Sequence, residues 1–411
     1  EGHDGEHQQP ARRTGHDANE RAHKGGKGKA RKDQAVNIGD TKKRGFEQGR
    51  VDRGKKLKGQ RPRKLPPERS PFLAQKETGE QPRYSWPVIA DTIAINASAP
   101  LRTVGTMRIA MMGSGGIGGY FGGRMAAAGN DVTFIARGKH LEAIRRNGLT
   151  IRSHELGDGL VRPANATDDP AEIGPVDCVI VGVKLWDTAD AGTAIHPLLG
   201  PETMVLSLQN GVECNDILGP LVGADRLIDG AAFIASAVSE PGVIKHIGTL
   251  QRIVIGEPKG GSSDRVGALQ EAMLAGGITA EISETIERTI WEKFVFLVGL
   301  SATTTLLRTT IGPIREDPES REFLHGIFRE TVAVGRAKGI DLPDDFHTTR
   351  LDFADGLPAE MTSSMHHDLE AGNSLELAWL SGAVVRFGRA LGIETPINQA
   401  VFAALKPHAK N

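Results

Sequence analysis

The sequence predicts an α/β fold, in which a doubly wound, mostly parallel sheet domain is followed by an all-helical domain. Three observations predict it. A glycine-rich stretch, MMGSGGIGGYFGGRM at residues 111–125, joins an apolar run to a helical pattern. Apolar runs then alternate with helical segments, as they do around parallel sheets. Beyond about residue 284, the apolar patterns have helical spacing.

Composition predicts three parts in the chain of 411 residues, namely a disordered basic extension at 1–106, the sheet domain at 107–280 and the helical domain at 281–411. Residues 1–70 hold 20 Lys and Arg against 10 Asp and Glu. A segment so polar cannot bury enough surface to offset its ordering entropy. We therefore predict a dispensable extension, with a polybasic arm for nucleic acid or anionic membrane as the alternative.

The sheet domain is predicted from short apolar runs that read as buried strands, at residues 108–112, 131–137, 176–184, 203–211 and 226–236. Helices are predicted from the glycine stretch to Gly129, at 139–148 and at 187–199. Residues 243–257 have the pattern of a hairpin at the edge of the sheet. In the helical domain, helices are predicted at 284–307, 319–338, 362–371, 374–391 and 396–405.

Several classes of protein are excluded by composition. The two cysteines, Cys178 and Cys214, rule out a disulfide scaffold and are typical of a reducing compartment. The N-terminus lacks the apolar segment of a signal peptide, and the longest apolar run, 294–300, is too short to span a bilayer. We expect a soluble, cytoplasmic protein with no metal site, no membrane contact and no nucleic-acid partner. The oligomeric state stays open, a homodimer included.

The glycine stretch contains Gly113-x-Gly115-x-x-Gly118, between a strand and a helix as a dinucleotide-binding motif requires. Gly113 suits the tight turn, Gly115 lets a pyrophosphate approach the main chain, and Gly118 allows close helix–strand packing. The phosphates would lie at the helix N-terminus, along the residues that complete the turn, Ser114, Gly116 and Ile117. This predicts a Rossmann-type domain, with a simple packing loop as the alternative. The further glycines, at 119, 122 and 123, would make the helix thinner on the side that packs against the sheet.

The end of the second strand indicates which dinucleotide is bound. NAD sites usually place an acid there to hold the ribose hydroxyls. Here the chain reads Ala-Arg-Gly-Lys-His at residues 136–140, with Arg137 in place of an acid. A guanidinium suits a 2′-phosphate, so the sequence favours NADPH as the cofactor. The alternative is a solvated arginine at the end of a strand.

Polar residues at the carboxyl ends of strands are candidates for the rest of the site, because ligands bind at that edge of open α/β sheets. Lys184 ends one predicted strand and Asn210 the next. On the helix at 284–307, Lys293, Leu297 and Ser301 share one face. By pattern alone Lys293 is a surface lysine with a buried stem. Pattern alone also predicts helix caps and solvated positions at Ser363, Ser364, Asp368 and Glu376.

The order and spacing of these residues resemble the ketopantoate reductases over residues 107–408. The features that carry the resemblance are the glycine motif, Lys184, Gln209-Asn210-Gly211, Trp291-Glu292-Lys293, and Ser363-Ser364-Met365 with Asp368 and Glu376. The resemblance implies an NADPH-dependent 2-oxo acid reductase with a cleft between its two domains. It implies that Lys293 is the general acid, that Lys184 and Asn210 line the cofactor and reaction centre, that Ser364 binds substrate, and that Glu376 lies by the cofactor and the lysine.

The chain departs from the family on the helix of Lys293. Well-studied members have Lys-x-x-x-Asn-x-x-x-Asn, whereas this chain has Leu297 and Ser301 at the two asparagine positions. We expect both residues to line the substrate pocket. The main hypothesis is reduction of 2-dehydropantoate to pantoate for pantothenate synthesis. The alternatives are a reductase of a more apolar 2-oxo acid, and a dinucleotide-binding sensor without turnover.

Overall fold

The computed structural model describes residues 106–410. The predicted extension lies outside them, apart from Thr106. Within this range the strands are β1 (Arg108–Met112), β2 (Asp131–Ile135), β3 (Leu149–Ser153), β4 (Gly159–Val161), β5 (Asn165–Thr167), β6 (Val176–Val181), β7 (Leu199–Ser207), β8 (Leu227–Glu240), β9 (Val243–Gly256) and β10 (Thr279–Ile282).

The α-helices of the same range lie between the strands and then follow one another. They are α1 (Gly116–Ala127), α2 (Gly138–Asn147), α3 (Thr188–Ala194), α4 (Cys214–Val222), α5 (Asp264–Ala275), α6 (Ile286–Leu307), α7 (Ile311–Glu316), α8 (Pro318–Ala337), α9 (Phe346–Asp355), α10 (Ser364–Glu370), α11 (Ser381–Leu391) and α12 (Pro396–Leu405). After β10 the chain is helical, as predicted.

The strands form one mixed sheet in the order β4-β3-β9-β8-β7-β6-β1-β2-β5, with β10 beside β9. From β8 through β7, β6, β1, β2 and β5 the neighbours are parallel. Alternate residues of β1 enter two different cores: Ile109 and Met111 pack with α1, whereas Ala110 and Met112 pack with α3 and α4. Helices cover both faces, so the predicted doubly wound α/β fold is confirmed.

Three predicted elements are wrong in their detail. Residues 243–257 were predicted to be a hairpin at the edge of the sheet. They form the single strand β9, which lies between β3 and β8. The turn comes earlier, at Gly242 (φ +80°), and the β8–β9 register shifts opposite residues 247–251. Gly248 (φ +74°) therefore accommodates an irregularity within a strand rather than a hairpin turn.

The helix predicted at 374–391 is interrupted. Glu376–Trp379 form a 3₁₀ turn, and α11 begins only after Leu380, whose backbone lies at φ −102° and ψ −104°. The helix predicted at 187–199 is likewise limited to α3, with 3₁₀ turns on either side. Glu376 therefore lies on the 3₁₀ turn that precedes α11 and not on the helix itself.

Helix α6 is the centre of the helical part. It is long and apolar enough to cross a bilayer, but 61% of its most apolar window is buried within the fold. Trp291, Phe294 and Val298 are each at most 2% exposed and pack against α8 and its neighbours. Packing in a protein core therefore accounts for the composition of this helix.

Asp229 on β8 gives a prediction for the pH dependence of stability. Burial raises its pKa to about 6, with Asn215 donating a hydrogen bond to it and Glu287 and Asp216 adding negative charge nearby. The unfolded chain loses this proton at lower pH than the folded chain, so stability falls as pH rises towards 6. Asp229→Asn should stabilise the protein by about 1–3 kcal/mol above pH 6. Urea unfolding at pH 7.5 should show the gain, and it should vanish near pH 4.

Candidate active site

A cleft lies at the carboxyl ends of the parallel strands, where open α/β sheets bind their ligands. Its wall brings together the glycine turn, the ends of three strands and two residues of the helical part. The lining residues include Gly113, Ser114, Gly115, Gly116, Ile117, Arg137, His140, Lys184, Gln209, Asn210, Ser236, Ser364 and Glu376. Most residues predicted from the sequence for cofactor and substrate therefore border one cavity.

The turn between β1 and α1 requires its glycines for different reasons. Gly113 has φ +95°, and a side chain there would meet Val183. A Cβ on Gly118 would fall 2.1 Å from the carbonyl oxygen of Gly113, and one on Gly116 would fall 2.3 Å from that of Ser236. A Cβ on Gly115 would meet nothing within 4 Å, because this position faces the open cleft. Gly115 therefore leaves a cradle that a larger residue would fill.

The further glycines of the stretch are explained by packing. Added Cβ atoms on Gly119, Gly122 and Gly123 would fall 2.6–2.8 Å from side-chain atoms of Ile244, Met111 and Ile151, respectively. Helix α1 thus lies closer to the sheet than any larger residue would allow. The prediction that these glycines thin the helix against the sheet is confirmed.

The N-terminus of α1 has the properties of an anion site. No side chain caps it, and its first turn contains no acid. His140 fixes the backbone of the turn through two hydrogen bonds. Its Nδ1 accepts the Gly242 N–H at 3.0 Å, so the ring proton is on Nε2. This Nε2–H donates to the Ser114 carbonyl oxygen at 2.8 Å. Arg137, exposed on the same wall, adds a cation at the start of α2. These groups fit a bound dinucleotide, with the free N–H groups facing its phosphates.

Lys184 links the sheet to the helical part. Its Nζ donates to Asp368 Oδ2 at 2.9 Å. Burial disfavours the charge on this ammonium, but Glu376 and Asp368 outweigh that effect and raise its pKa. Lys184 is therefore a permanent cation on the wall of the cleft.

Lys293 lies beside the cleft, next to its lining residue Asn210. Its Nζ donates to Asn210 Oδ1 at 3.2 Å, although the two residues are 83 positions apart. Burial lowers the pKa of Lys293 to about 8, with Cys214 and Glu376 opposing the shift. A group with a pKa close to neutral can both donate and recover a proton at physiological pH.

Glu376 is buried, with 6% of its surface exposed, and its Oε1 accepts the backbone N–H of Leu185 at 3.3 Å. This bond joins the 3₁₀ turn before α11 to the chain just after Lys184. One carboxylate therefore contacts the sheet part while acting electrostatically on both Lys184 and Lys293.

The structure places the predicted substrate residues in two different environments. Ser364 is exposed on the wall of the cleft. Leu297 packs against the core of the helical part, and Ser301 is 1% exposed with a hydroxyl that has no hydrogen-bond partner within residues 106–410. Neither Leu297 nor Ser301 borders this cavity. The expectation that they line the substrate pocket stays a prediction.

Several residues at or beside the cleft were not predicted from the sequence. Gln209 lies within a quoted motif, and its Nε2 donates to Val183 O at 3.1 Å and to Thr188 Oγ1 at 2.8 Å, which ties the ends of β6 and β7 together. His140 directly follows the predicted strand end. Two residues of β8 gave no sequence signal beyond that of a buried strand: Ser236, which borders the cleft, and Phe233, whose ring centroid lies 5.7 Å from the Lys293 Nζ. Within residues 106–410, no three His, Cys, Asp or Glu side chains are grouped as metal ligands.

Comparison with known proteins gives consistent matches over the described residues. Residues 109–260 match the family model "Ketopantoate reductase PanE/ApbA", and residues 285–409 match "Ketopantoate reductase PanE/ApbA C terminal". The 2-dehydropantoate 2-reductase of Mesorhizobium japonicum is 32% identical over 321 residues, which cover 73% of this chain and 97% of that protein.

Solved structures agree in fold. The 2-dehydropantoate 2-reductase of Geobacter metallireducens superposes with a TM-score of 0.69 at 32% identity, covering 73% of this chain and 99% of that one. A D-mandelate dehydrogenase, solved with NADH and anilino(oxo)acetate, superposes with a TM-score of 0.67 at 21% identity, covering 74% and 98%. At that identity the second match shows the fold alone. With both family models matched in order, the chain belongs to the ketopantoate reductase family of oxidoreductases.

Proposed function

We propose that this protein is a 2-dehydropantoate 2-reductase, which uses NADPH to reduce 2-dehydropantoate to pantoate in the cytoplasmic synthesis of pantothenate. One observation carries the proposal. An ammonium with a pKa of about 8, on Lys293, is held by Asn210 beside a cleft that begins at an uncapped helix N-terminus. A proton donor and a phosphate cradle thus lie at one cleft, as the reduction of a carbonyl with a nicotinamide requires.

NADPH, when bound, supplies a hydride to the carbonyl carbon. The chain would hold it through the N–H groups that begin α1, the space left by Gly115, and Arg137 at the 2′-phosphate. Lys184 and Asn210 would border its reacting end. Because Lys184 and Asp368 are paired across the cleft, they also hold the helical part close to the strand ends.

The role of Lys293 follows from where charge develops. As the carbonyl carbon is reduced, negative charge grows on the oxygen, which needs a proton. The Lys293 ammonium would stabilise that charge and then deliver the proton, while the Asn210 side chain holds the lysine in place. Glu376 favours the charged form of the lysine. Ser364, exposed on the wall of the cleft, would offer its hydroxyl to the substrate carboxylate.

Arg137 distinguishes NADPH from NADH in this proposal. Arg137→Ala should weaken NADPH binding by about 1.5–3 kcal/mol, the scale of a hydrogen bond to a charged group, and should leave NADH binding almost unchanged. Titration of each cofactor by fluorescence measures both values. Arg146→Ala, which removes an exposed charge from the other end of α2, is the control. Equal losses for the two cofactors would remove Arg137 from this role.

The reaction itself is tested by following NADPH oxidation against a panel of 2-oxo acids that includes 2-dehydropantoate. The proposal requires 2-dehydropantoate to have the highest kcat/KM of the panel. A higher value for an acid with a larger apolar group would favour the alternative that Leu297 suggested. Tight NADPH binding without turnover of any 2-oxo acid would favour the sensor.

A further inference from the structure

An aromatic ring lies against the Lys293 ammonium. The Lys293 Nζ is 5.7 Å from the centroid of the Phe233 ring, within the range of a cation–π contact. Phe233 is half-buried on β8, directly across the strand pair from Arg252 on β9. The ring therefore belongs to the sheet part and the lysine to the helical part, so this contact joins the two parts at the reacting group.

The Lys293 ammonium is only partly held by hydrogen bonds. An ammonium has three N–H donors and no acceptor. Within residues 106–410, one of them donates to Asn210 Oδ1, and no second hydrogen bond from Lys293 is formed. The negative face of the Phe233 ring is a second attractive surface for the same cation. Asn210 and Phe233 together define where the Nζ lies, and donor capacity remains for a substrate oxygen.

A second cation contacts the same ring. The Arg252 guanidinium lies 4.9 Å from the centroid, and its Nε is paired with Glu281 at 3.1 Å. Pairing with Glu281 neutralises Arg252, which reduces its repulsion of Lys293. Within the part of the chain that the structure describes, the charged and titratable groups near Lys293 include Glu376 from the 3₁₀ turn, Cys214 from α4 and, across the Phe233 ring, the Arg252–Glu281 pair from β9 and β10.

We propose that Phe233 is a positioning residue for the reduction: its ring holds the Lys293 ammonium in place against Asn210 and stabilises its charged form. The proposal rests on the proposed function for its catalytic consequence, but the contact can be measured without turnover. The ring attracts the ammonium and not the neutral amine, so it acts in the same direction as Glu376 and against burial.

The test is the pKa of Lys293 itself, measured by competitive labelling of lysines with acetic anhydride across a pH series, with each peptide quantified by mass spectrometry. Phe233→Leu should lower this pKa by about half to one unit, the equivalent of one cation–π contact. Phe233→Tyr, which keeps an aromatic face, should retain the wild-type value. In turnover assays the alkaline limb of kcat should move to lower pH by the same amount in Phe233→Leu.

Phe296→Leu is the matched control, because Phe296 lies on α6 close to Lys293 but packs its ring against Phe353. An unchanged Lys293 pKa in Phe233→Leu, or an equal shift in Phe296→Leu, would overturn the proposal. If Phe233→Leu fails to fold, Phe233→Met carries the same measurement. A wild type that reduces no 2-oxo acid would refute the proposed function, while the labelling result would still decide the role of Phe233.

Discussion

Replacing Lys293 with alanine should lower turnover by about two to four orders of magnitude with any substrate that the wild type accepts. In the proposed mechanism, Lys293 interacts most strongly with the species that carries most charge, so its loss should raise the barrier more than it weakens substrate binding. NADPH affinity and the thermal midpoint should change little. Steady-state kinetics, cofactor titration and thermal unfolding measure the three quantities, and Lys338→Ala, which removes an exposed lysine from the same part of the chain, is the control.

The pH dependence of activity and a double variant of Lys293 and Glu376 test the role of Lys293 further. With a Lys293 pKa of about 8, activity should be retained below that value and fall as the ammonium loses its proton above it. Glu376→Ala should lower activity too, and the double variant should lose less than the sum of the single losses, since the two groups act on one charge. A Lys293→Ala enzyme with near wild-type turnover would contradict the mechanism and favour a surface lysine.

The second large effect is expected in the glycine turn, where one Gly→Ala substitution should weaken dinucleotide binding and another should lower stability. Gly115→Ala places a methyl group in the open cradle, so the protein should keep its stability and bind the dinucleotide at least about tenfold more weakly. Gly118→Ala drives a methyl group against the Gly113 carbonyl, at 2.1 Å, where backbone would have to move. We expect a loss of roughly 1–3 kcal/mol of stability, as for other overpacked sites.

Thermal unfolding and cofactor titration of both variants make the comparison. A fall in thermal midpoint in Gly115→Ala as large as in Gly118→Ala would show that the cradle is part of the core. Unchanged dinucleotide affinity in a stable Gly115→Ala would show that the ligand does not approach the backbone at this point.

Local signals made much of the sheet part predictable. The glycine motif must follow a strand and open a helix, and strands β1 and β6 are almost fully buried, so their apolar runs stand out from their surroundings. Strands β4 and β5 have three residues each, too few to show an alternating pattern. The prediction of a hairpin at 243–257 was wrong, because a glycine such as Gly248 gives the same sequence signal in a hairpin turn and in an irregularity within a strand.

The site was less predictable, because its contacts join distant parts of the chain. Pattern alone assigned Lys293 to the surface, since neither Asn210 nor Phe233 can be placed next to it from spacing. Resemblance to the family supplied Lys293, Glu376 and Ser364, but it gave no signal for Phe233 or His140. Leu297 and Ser301 share a helix face with Lys293 but do not border the cavity next to Asn210, so their place in the substrate pocket stays a prediction.

Strand β8 has a consequence for how this enzyme could be altered. Phe233 touches the lysine, while the carbonyl of Ser236, three residues later, abuts Gly116 at the start of α1. The two contacts are separated by about 10 Å of extended backbone, a distance that side-chain substitution cannot change. The strand thus acts as a fixed spacer between Lys293 and the glycine turn. If the proposed function holds, variants for longer or shorter substrates would have to be sought on the helical wall, since an insertion in β8 would move Lys293 away from the glycine turn.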